Sequence, residues 1–361
     1  KQNMNNTTQK INEGNFFEDF SIGQEIFHAT PRTITNGDSA LYIALTGSRH
    51  PIASASTVAE SLGYLSQPID DLLAFHIAFG KTVPEISVNA IANLGYANVR
   101  FINPVYPNDT LYTKSTIIGL KENSNKKSGI VYVQSNSFNQ KNEEIISWIR
   151  WVMVHKKDMS FTPQKNLIPD LPESVVLDKL PIPSFFNGNA FNTRWTKSDN
   201  LWEHYKKGEV IYHPSGMTVS DTDHTLATKL YQNNARLHFD DFMMKKTSMG
   251  KRLIYGGHVI SVCKNLSYDG LENSLAILAI NGGTHSNPTF GNDTLYASTE
   301  ILDKWEIPYR SDIGVLRLRL IGYKNMELDA FKKLMPIENK NYHEHIVLDL
   351  DYSILMPRKK G

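Results

Sequence analysis

One cysteine, Cys263, stands in a chain of 361 residues. A single thiol excludes an internal disulfide and a metal site built on cysteine pairs, and it fits a reducing, cytoplasmic location. Long hydrophobic runs are missing: no apolar stretch approaches the roughly 20 residues of a spanning helix. Excess charge of one sign is missing too, with 38 Lys and Arg against 37 Asp and Glu. That balance leaves no electrostatic footprint for nucleic acid or an anionic membrane, so neither is expected as a partner. There is no His-Glu-x-x-His and no phosphate-loop glycine pattern, and the 12 histidines are scattered. Neither metal nor cofactor is therefore expected. Residues 1–14 are polar and Asn/Gln-rich, and read as a disordered tail rather than a signal peptide.

What the chain does have is length for two cores, with 40% hydrophobic residues, and an internal repeat. Asn-Asp-Thr-Leu-Tyr occurs at 108–112 and again at 292–296, a separation of 184 positions. Gly23 to His28 (Gly-Gln-Glu-Ile-Phe-His) answers to Gly208 to His213 (Gly-Glu-Val-Ile-Tyr-His), 185 positions on. Thr33 and Asp38 answer to Thr218 and Asp223 at the same separation of 185. Three matches in order and in register indicate a duplicated unit. The paired Asn-Asp-Thr-Leu segments read as structural turns, each with an Asp capping the entry to a strand.

Each unit begins helical and continues as strands. In the first, helices are expected over residues 38–45 and 54–62, and a buried central helix over 72–79. In the second, the apolar run 259–262 marks the matching central helix. Period-two alternation follows. Ile146, Trp148, Arg150, Val152 and Val154 lie in a run apolar on both faces, as a central strand should be. Leu316, Leu318 and Leu320 alternate with Arg317 and Arg319, which gives that strand one wet face. Leu348, Leu350 and Tyr352 alternate likewise with Asp349 and Asp351. Helix first and consecutive antiparallel strands after is an α+β order. Each unit is expected to be one helix wrapped by a curved antiparallel sheet. The units are expected at residues 15–156 and 200–357, joined by a proline-rich linker over 157–199.

These features, with the strings at 41–49, 70–84, 89–96, 119–125 and 148–154, resemble the MaoC-like hot-dog hydratases in a tandem arrangement. Within that group they look like mesaconyl-CoA hydratases, also called β-methylmalyl-CoA dehydratases. The resemblance implies reversible hydration of a branched dicarboxylic enoyl-CoA, with the CoA thioester as the partner molecule. It also implies a reactive segment Asp-x-Asn-Pro-x-His. In the first unit the matching stretch is 48–53, where Ser48 and Ala53 occupy the reactive positions, so that unit cannot do acid/base work there. In the second it is 233–238, with His238 present and Asn233 where the carboxylate should be.

An Asn amide cannot take a proton near neutral pH, so proton transfer would rest on His238, with Asn233 orienting water. Asp240 and Asp241 are nearby carboxylates that could substitute. Gly256 and Gly257 precede the second central helix, where backbone N–H groups could receive charge on the thioester oxygen. His258 is a candidate second group. Arg49 and Arg236 are candidates for a distal carboxylate, and Lys251 and Arg252 for the phosphates of coenzyme A. His50 and His76 read as structural. A thioesterase and a non-catalytic acyl-CoA binder remain alternatives, and a further homodimer is compatible with the sequence.

Overall fold

The computed structural model describes residues 10–359. The first unit runs β1 (Glu25–Phe27), β2 (Arg32–Thr33), α1 (Asn36–Thr46), α2 (Pro51–Ser54), α3 (Ser56–Ser61), α4 (Asp71–Gly80), α5 (Val83–Ile86), β3 (Ala90–Phe101), β4 (Thr110–Glu122), β5 (Ser128–Phe138) and β6 (Glu144–His155). The second runs β7 (Val210–Tyr212), β8 (Met217–Thr218), α6 (Asp221–Leu230), α7 (Asp241–Met244), α8 (Gly256–Leu266), β9 (Ile277–Thr284), β10 (Thr294–Ile307), β11 (Arg310–Lys324), α9 (Leu328–Lys332) and β12 (Ile346–Pro357). The strands form one sheet in the order β1-β4-β5-β6-β3-β9-β12-β11-β10-β7, with β2 on β4 and β8 on β10. The two units join edge to edge where β3 pairs with β9, Tyr96 opposite Gly283 and Val99 opposite Ile280. Each unit thereby covers an edge that would otherwise lie open.

The duplication extends to individual hydrogen bonds. Asn108 and Asn292 are both left-handed, at φ 75° and 73°. Behind them Asp109 accepts from the Tyr106 N–H and Asp293 from the Phe290 N–H, each at 2.8 Å. His28 meets Ser115 Oγ and His213 meets Thr299 Oγ1, again at 2.8 Å in both units. Reciprocal capping boxes start α1 (Thr35 with Asp38) and α6 (Ser220 with Asp223).

The alternation in the second unit decides its inner face. Leu316, Leu318 and Leu320 are buried, while Arg317 pairs with Asp351 and Arg319 with Asp349 on the outer face. Helix α4 is buried on all sides and carries no polar stripe, as a helix inside a sheet must be. It meets α8 and α1 through Ser261, whose Oγ lies 2.8 Å from both His76 Nε2 and the Tyr42 hydroxyl.

Three expectations change in detail. The helix expected over 54–62 is the shorter α3, set off from α2 before it by the extended residue Ala55. Both central helices are longer than their apolar runs. The proline-rich linker over 157–199 is packed along its length: Leu167 bridges to Leu120, Val175 N–H donates to Asn281, and Gly188 N–H donates to Asp312. Val175, Leu180, Phe186 and Phe191 share a core cluster with Val315 and Leu355, so this segment straps the two units together. Of the expected tail, residues 1–9 lie outside the described residues, while Asn89 Nδ2 holds the Glu13 carbonyl at 2.9 Å. Among the described residues no helix is long and apolar enough to cross a membrane.

Candidate active site

Helix α6 ends at Leu230, and the chain turns through Gln232, left-handed at φ 50°. Asn233 follows, buried, with its Oδ1 accepting from the Ala235 N–H at 3.0 Å. Asn233 borders the cavity described below, and its Nδ2 makes no hydrogen bond among the described residues. A 3-10 turn, Arg236–His238, carries the chain on. Residues two apart in such a turn point to different sides, so His238 is buried while Arg236 is exposed.

His238 is held from behind. Its Nδ1 lies 2.8 Å from the Leu253 carbonyl, and Leu253 N–H returns a bond to the Leu237 carbonyl at 3.0 Å. A carbonyl only accepts, so Nδ1 carries the proton and Nε2 keeps its lone pair, without a partner among the described residues. Burial pushes the imidazole down to about 4, against the opposing effect of the Leu253 carbonyl, so it is neutral near pH 7.

The N-terminus of α8 lies beside it. Gly256 and Gly257 are the first two helical residues, not a loop before the helix, and their N–H groups find no acceptor among the described residues. Gly256 borders the same cavity as Asn233 and His238. A Cβ on Gly256 would sit 2.6 Å from the His285 ring, so only glycine admits that close approach. His285 in turn meets the Tyr96 hydroxyl at 3.2 Å, and burial pushes it down to about 4. Gly257 faces elsewhere: its open side is filled by the Tyr255 ring and His76, at the helix packing interface.

The cavity holds about 320 Å³ and spans both units. The second unit supplies Asn233, His238, Tyr255, Gly256 and His285; the first supplies Phe79, Val83, Ser87, Asn93, Tyr96 and Arg150. No carboxylate lines it among the described residues. Nor does any cluster of three His, Cys, Asp or Glu there have the arrangement to hold a metal ion.

Several sequence candidates are not brought to this cavity. Arg49 is exposed, pairs with Asp269 at 2.6 Å and stacks on Tyr268. Arg236 points outward, and Lys251 is exposed. Arg252 binds Thr225 and pairs with Asp221 at the start of α6. Asp240 caps α7 and Asp241 pairs with Lys245, so neither replaces the missing carboxylate. His258 turns inward to the Tyr231 hydroxyl at 3.2 Å and does not border the cavity. His285, Tyr96 and Arg150 are the residues that the sequence reading passed over. Only Arg150 left a usable signal: a cation at an inward position of β6, between Trp148 and Val152.

With this geometry in view, comparison with known proteins is decisive. A family model described as mesaconyl-CoA hydratase matches residues 2–331. The chain belongs to the mesaconyl-CoA hydratase family. It is 49% identical to the β-methylmalyl-CoA dehydratase of Chloroflexus aurantiacus, over 97% of this chain and 99% of that protein. It is 45% identical to the mesaconyl-CoA hydratase of Cereibacter sphaeroides, over 97% of this chain and 100% of that one. The crystal structure of a MaoC domain protein from Chloroflexus aurantiacus superposes with a TM-score of 0.93 at 49% identity, covering 97% of this chain and 99% of that one. The tandem hot-dog architecture implied by the resemblance is the architecture of this mesaconyl-CoA hydratase family member.

Proposed function

We propose that the protein catalyses reversible addition of water to a branched dicarboxylic enoyl-CoA, interconverting mesaconyl-CoA and β-methylmalyl-CoA. The observation that carries this reading is the meeting, in one cavity, of a neutral imidazole anchored through Nδ1 and the open N-terminus of α8 at Gly256.

In the hydration direction Asn233 Nδ2 holds a water by its oxygen, which turns a water hydrogen toward His238 Nε2. Nε2 takes that proton as the water oxygen bonds to the β-carbon. The π pair of the double bond moves to the α-carbon and the thioester carbonyl, and the resulting enolate oxygen is met by the Gly256 N–H and the positive end of α8. The His238 imidazolium then returns its proton to the α-carbon, directly or through an ordered water. Water has been added across the bond, and the imidazole is neutral again. Dehydration runs the same steps backward. The residues that move protons belong to the chain itself, and no cofactor is assigned a role.

The test is to follow enoyl-thioester absorbance and free thiol together, with purified protein and mesaconyl-CoA. Loss of absorbance without thiol release supports hydration. Thiol release in step with substrate loss makes the protein a thioesterase, and binding with neither change makes it an acyl-CoA binder.

A further inference from the structure

Arg150 sits on the inward face of β6, between Trp148 and Val152, and is 1% exposed. Its partners are neutral. One terminal nitrogen donates to Thr82 Oγ1 at 2.8 Å, both approach Ser87 Oγ at 3.2–3.3 Å, and the guanidinium lies 4.2 Å from the centre of the Phe79 ring. Its Nε–H is buried and finds no acceptor. Among the described residues no carboxylate reaches ion-pair distance of it. Asn93, which borders the same cavity, has a side-chain amide with neither atom hydrogen-bonded.

A buried guanidinium bonded only to hydroxyls is not compensated for its lost hydration, whereas an anion delivered by a ligand compensates it. Burial lowers its pKa to about 10, which still leaves the group charged at neutral pH. Phe79, Thr82 and Ser87 hold its plane, so the fork is in place before a ligand arrives. Exposed Arg49 and Arg236 offer nothing comparable.

We propose that Arg150 is the specificity determinant that receives the distal carboxylate of the acyl chain, with the Asn93 amide as a second donor. The proposal rests on the reading of this cavity as an acyl-thioester site. In mesaconyl-CoA that carboxylate is bonded to the β-carbon, the atom water attacks. Its negative charge opposes both the incoming water and the enolate that forms. A guanidinium on the carboxylate offsets this, so Arg150 acts on turnover as well as on binding.

Binding is measured with two saturated, non-reacting thioesters, methylsuccinyl-CoA and 2-methylbutanoyl-CoA, which differ by a carboxylate in place of a methyl group. The unaltered protein is expected to favour the carboxylate form by about 100-fold or more. R150M is expected to lose that preference while binding 2-methylbutanoyl-CoA at least as well as the parent, and R150K to restore part of it. Equal affinity of the unaltered protein for both thioesters overturns the proposal without any variant. A preference that survives intact in folded R150M overturns it as well. These readings are separate from hydration. A protein that selects the carboxylate thioester through Arg150 but never consumes mesaconyl-CoA keeps the subsite and refutes the hydratase. One that hydrates mesaconyl-CoA without carboxylate selectivity does the reverse.

Discussion

Replacing His238 with Ala removes the proposed base and leaves the rest of the cavity standing. Among the described residues the imidazole makes one hydrogen bond, Nδ1 to the Leu253 carbonyl at 2.8 Å, and one edge contact to Tyr255 with ring centres 5.7 Å apart. Losing a neutral bond of this kind costs about 1 kcal/mol, and less where the freed carbonyl can reach cavity water. Folding should therefore survive. A general base contributes about 10²- to 10⁴-fold, and here the same nitrogen takes the proton and returns it, so the upper end applies. A fall in kcat of about 10⁴-fold, or roughly 5 kcal/mol of barrier, is expected, with KM little changed because no binding contact is removed. H238Q separates base from anchor: its amide can still donate to Leu253, yet it has no basic nitrogen. It should match the parent in melting temperature and the Ala variant in turnover. The assay is loss of mesaconyl-CoA enoyl absorbance, with circular dichroism on each variant. Turnover within tenfold of the parent in either folded variant would refute the assignment of proton transfer to His238.

Gly256→Ala places a methyl group 2.6 Å from the His285 ring, so the ring must move off Tyr96 and across the mouth of α8. A displacement near 1 Å at a reacting centre is worth about 100-fold in kcat, and parent-like kcat in this variant would exclude Gly256 from the site. On the acid side, burial holds His238 at about 4, so kcat/KM should stay level from pH 8 to 6 and fall only toward that value; half-loss near pH 6.5 would contradict it. Stability should move in the same window. His238, His258 and His285 sit at about 4 when folded and near their ordinary 6.5 when unfolded. As pH falls below 6.5 the unfolded chain takes up protons first, so the stabilisation is complete above 6.5 and is lost on the way down to about 4. The urea midpoint should drop between pH 7.5 and 5, and a midpoint that rises would overturn the reading. R49A and R236A should each leave turnover within about threefold, since exposed charges and exposed pairs contribute little; a loss beyond about thirtyfold would put them back in the site.

Legibility followed the physics of each signal. Alternation reports which face of a strand is buried, and Leu316, Leu318 and Leu320 lie inside with Arg317 and Arg319 paired outside, as the pattern requires. The repeat sets 233–238, the proposed reactive segment, against 48–53, because a duplicated unit keeps its turns and caps in register. It could not orient that segment's side chains. Arg236 and His238 are two residues apart, and a single 3-10 turn sends one to solvent and the other to the cavity. The second central helix, α8, also begins earlier than its apolar run, because glycine in a first turn carries no periodicity. That is why Gly256 and Gly257 read as a loop. His285 follows β9 in a stretch without a motif, and its role arises from a contact with Tyr96 across the joint between the units. Arg150 was visible as an odd charge in an apolar strand, but its neighbours come from α4, α5 and β3.

The same joint explains why one chain holds two unlike copies. The repeat offset of 185 that aligns Gly23 with Gly208 sets Asp71 against Gly256 and Phe79 against Lys264. Where the second unit opens its helix N-terminus to a cavity of about 320 Å³, the first closes the equivalent place to about 30 Å³. Asp71 accepts from the Ile277 N–H at 3.0 Å there, its carboxyl pushed up to about 7 by burial, and Lys264 lines the same void. A symmetric pair of hot-dogs would have to keep both sites identical. Duplication removes that constraint, so the first unit can fill its own site and spend the equivalent surface on the walls of the other. β6 hydrogen-bonds to β3, β3 to β9, and all three belong to one sheet. Arg150 is therefore tied through continuous backbone pairing to the unit that carries His238 and Gly256. A carboxylate fork and a proton-transfer centre must stay fixed relative to each other if the substrate's β-carbon is to lie between them. Fusing the two sheets at β3 and β9 provides that fixed distance, which a contact between loops would not.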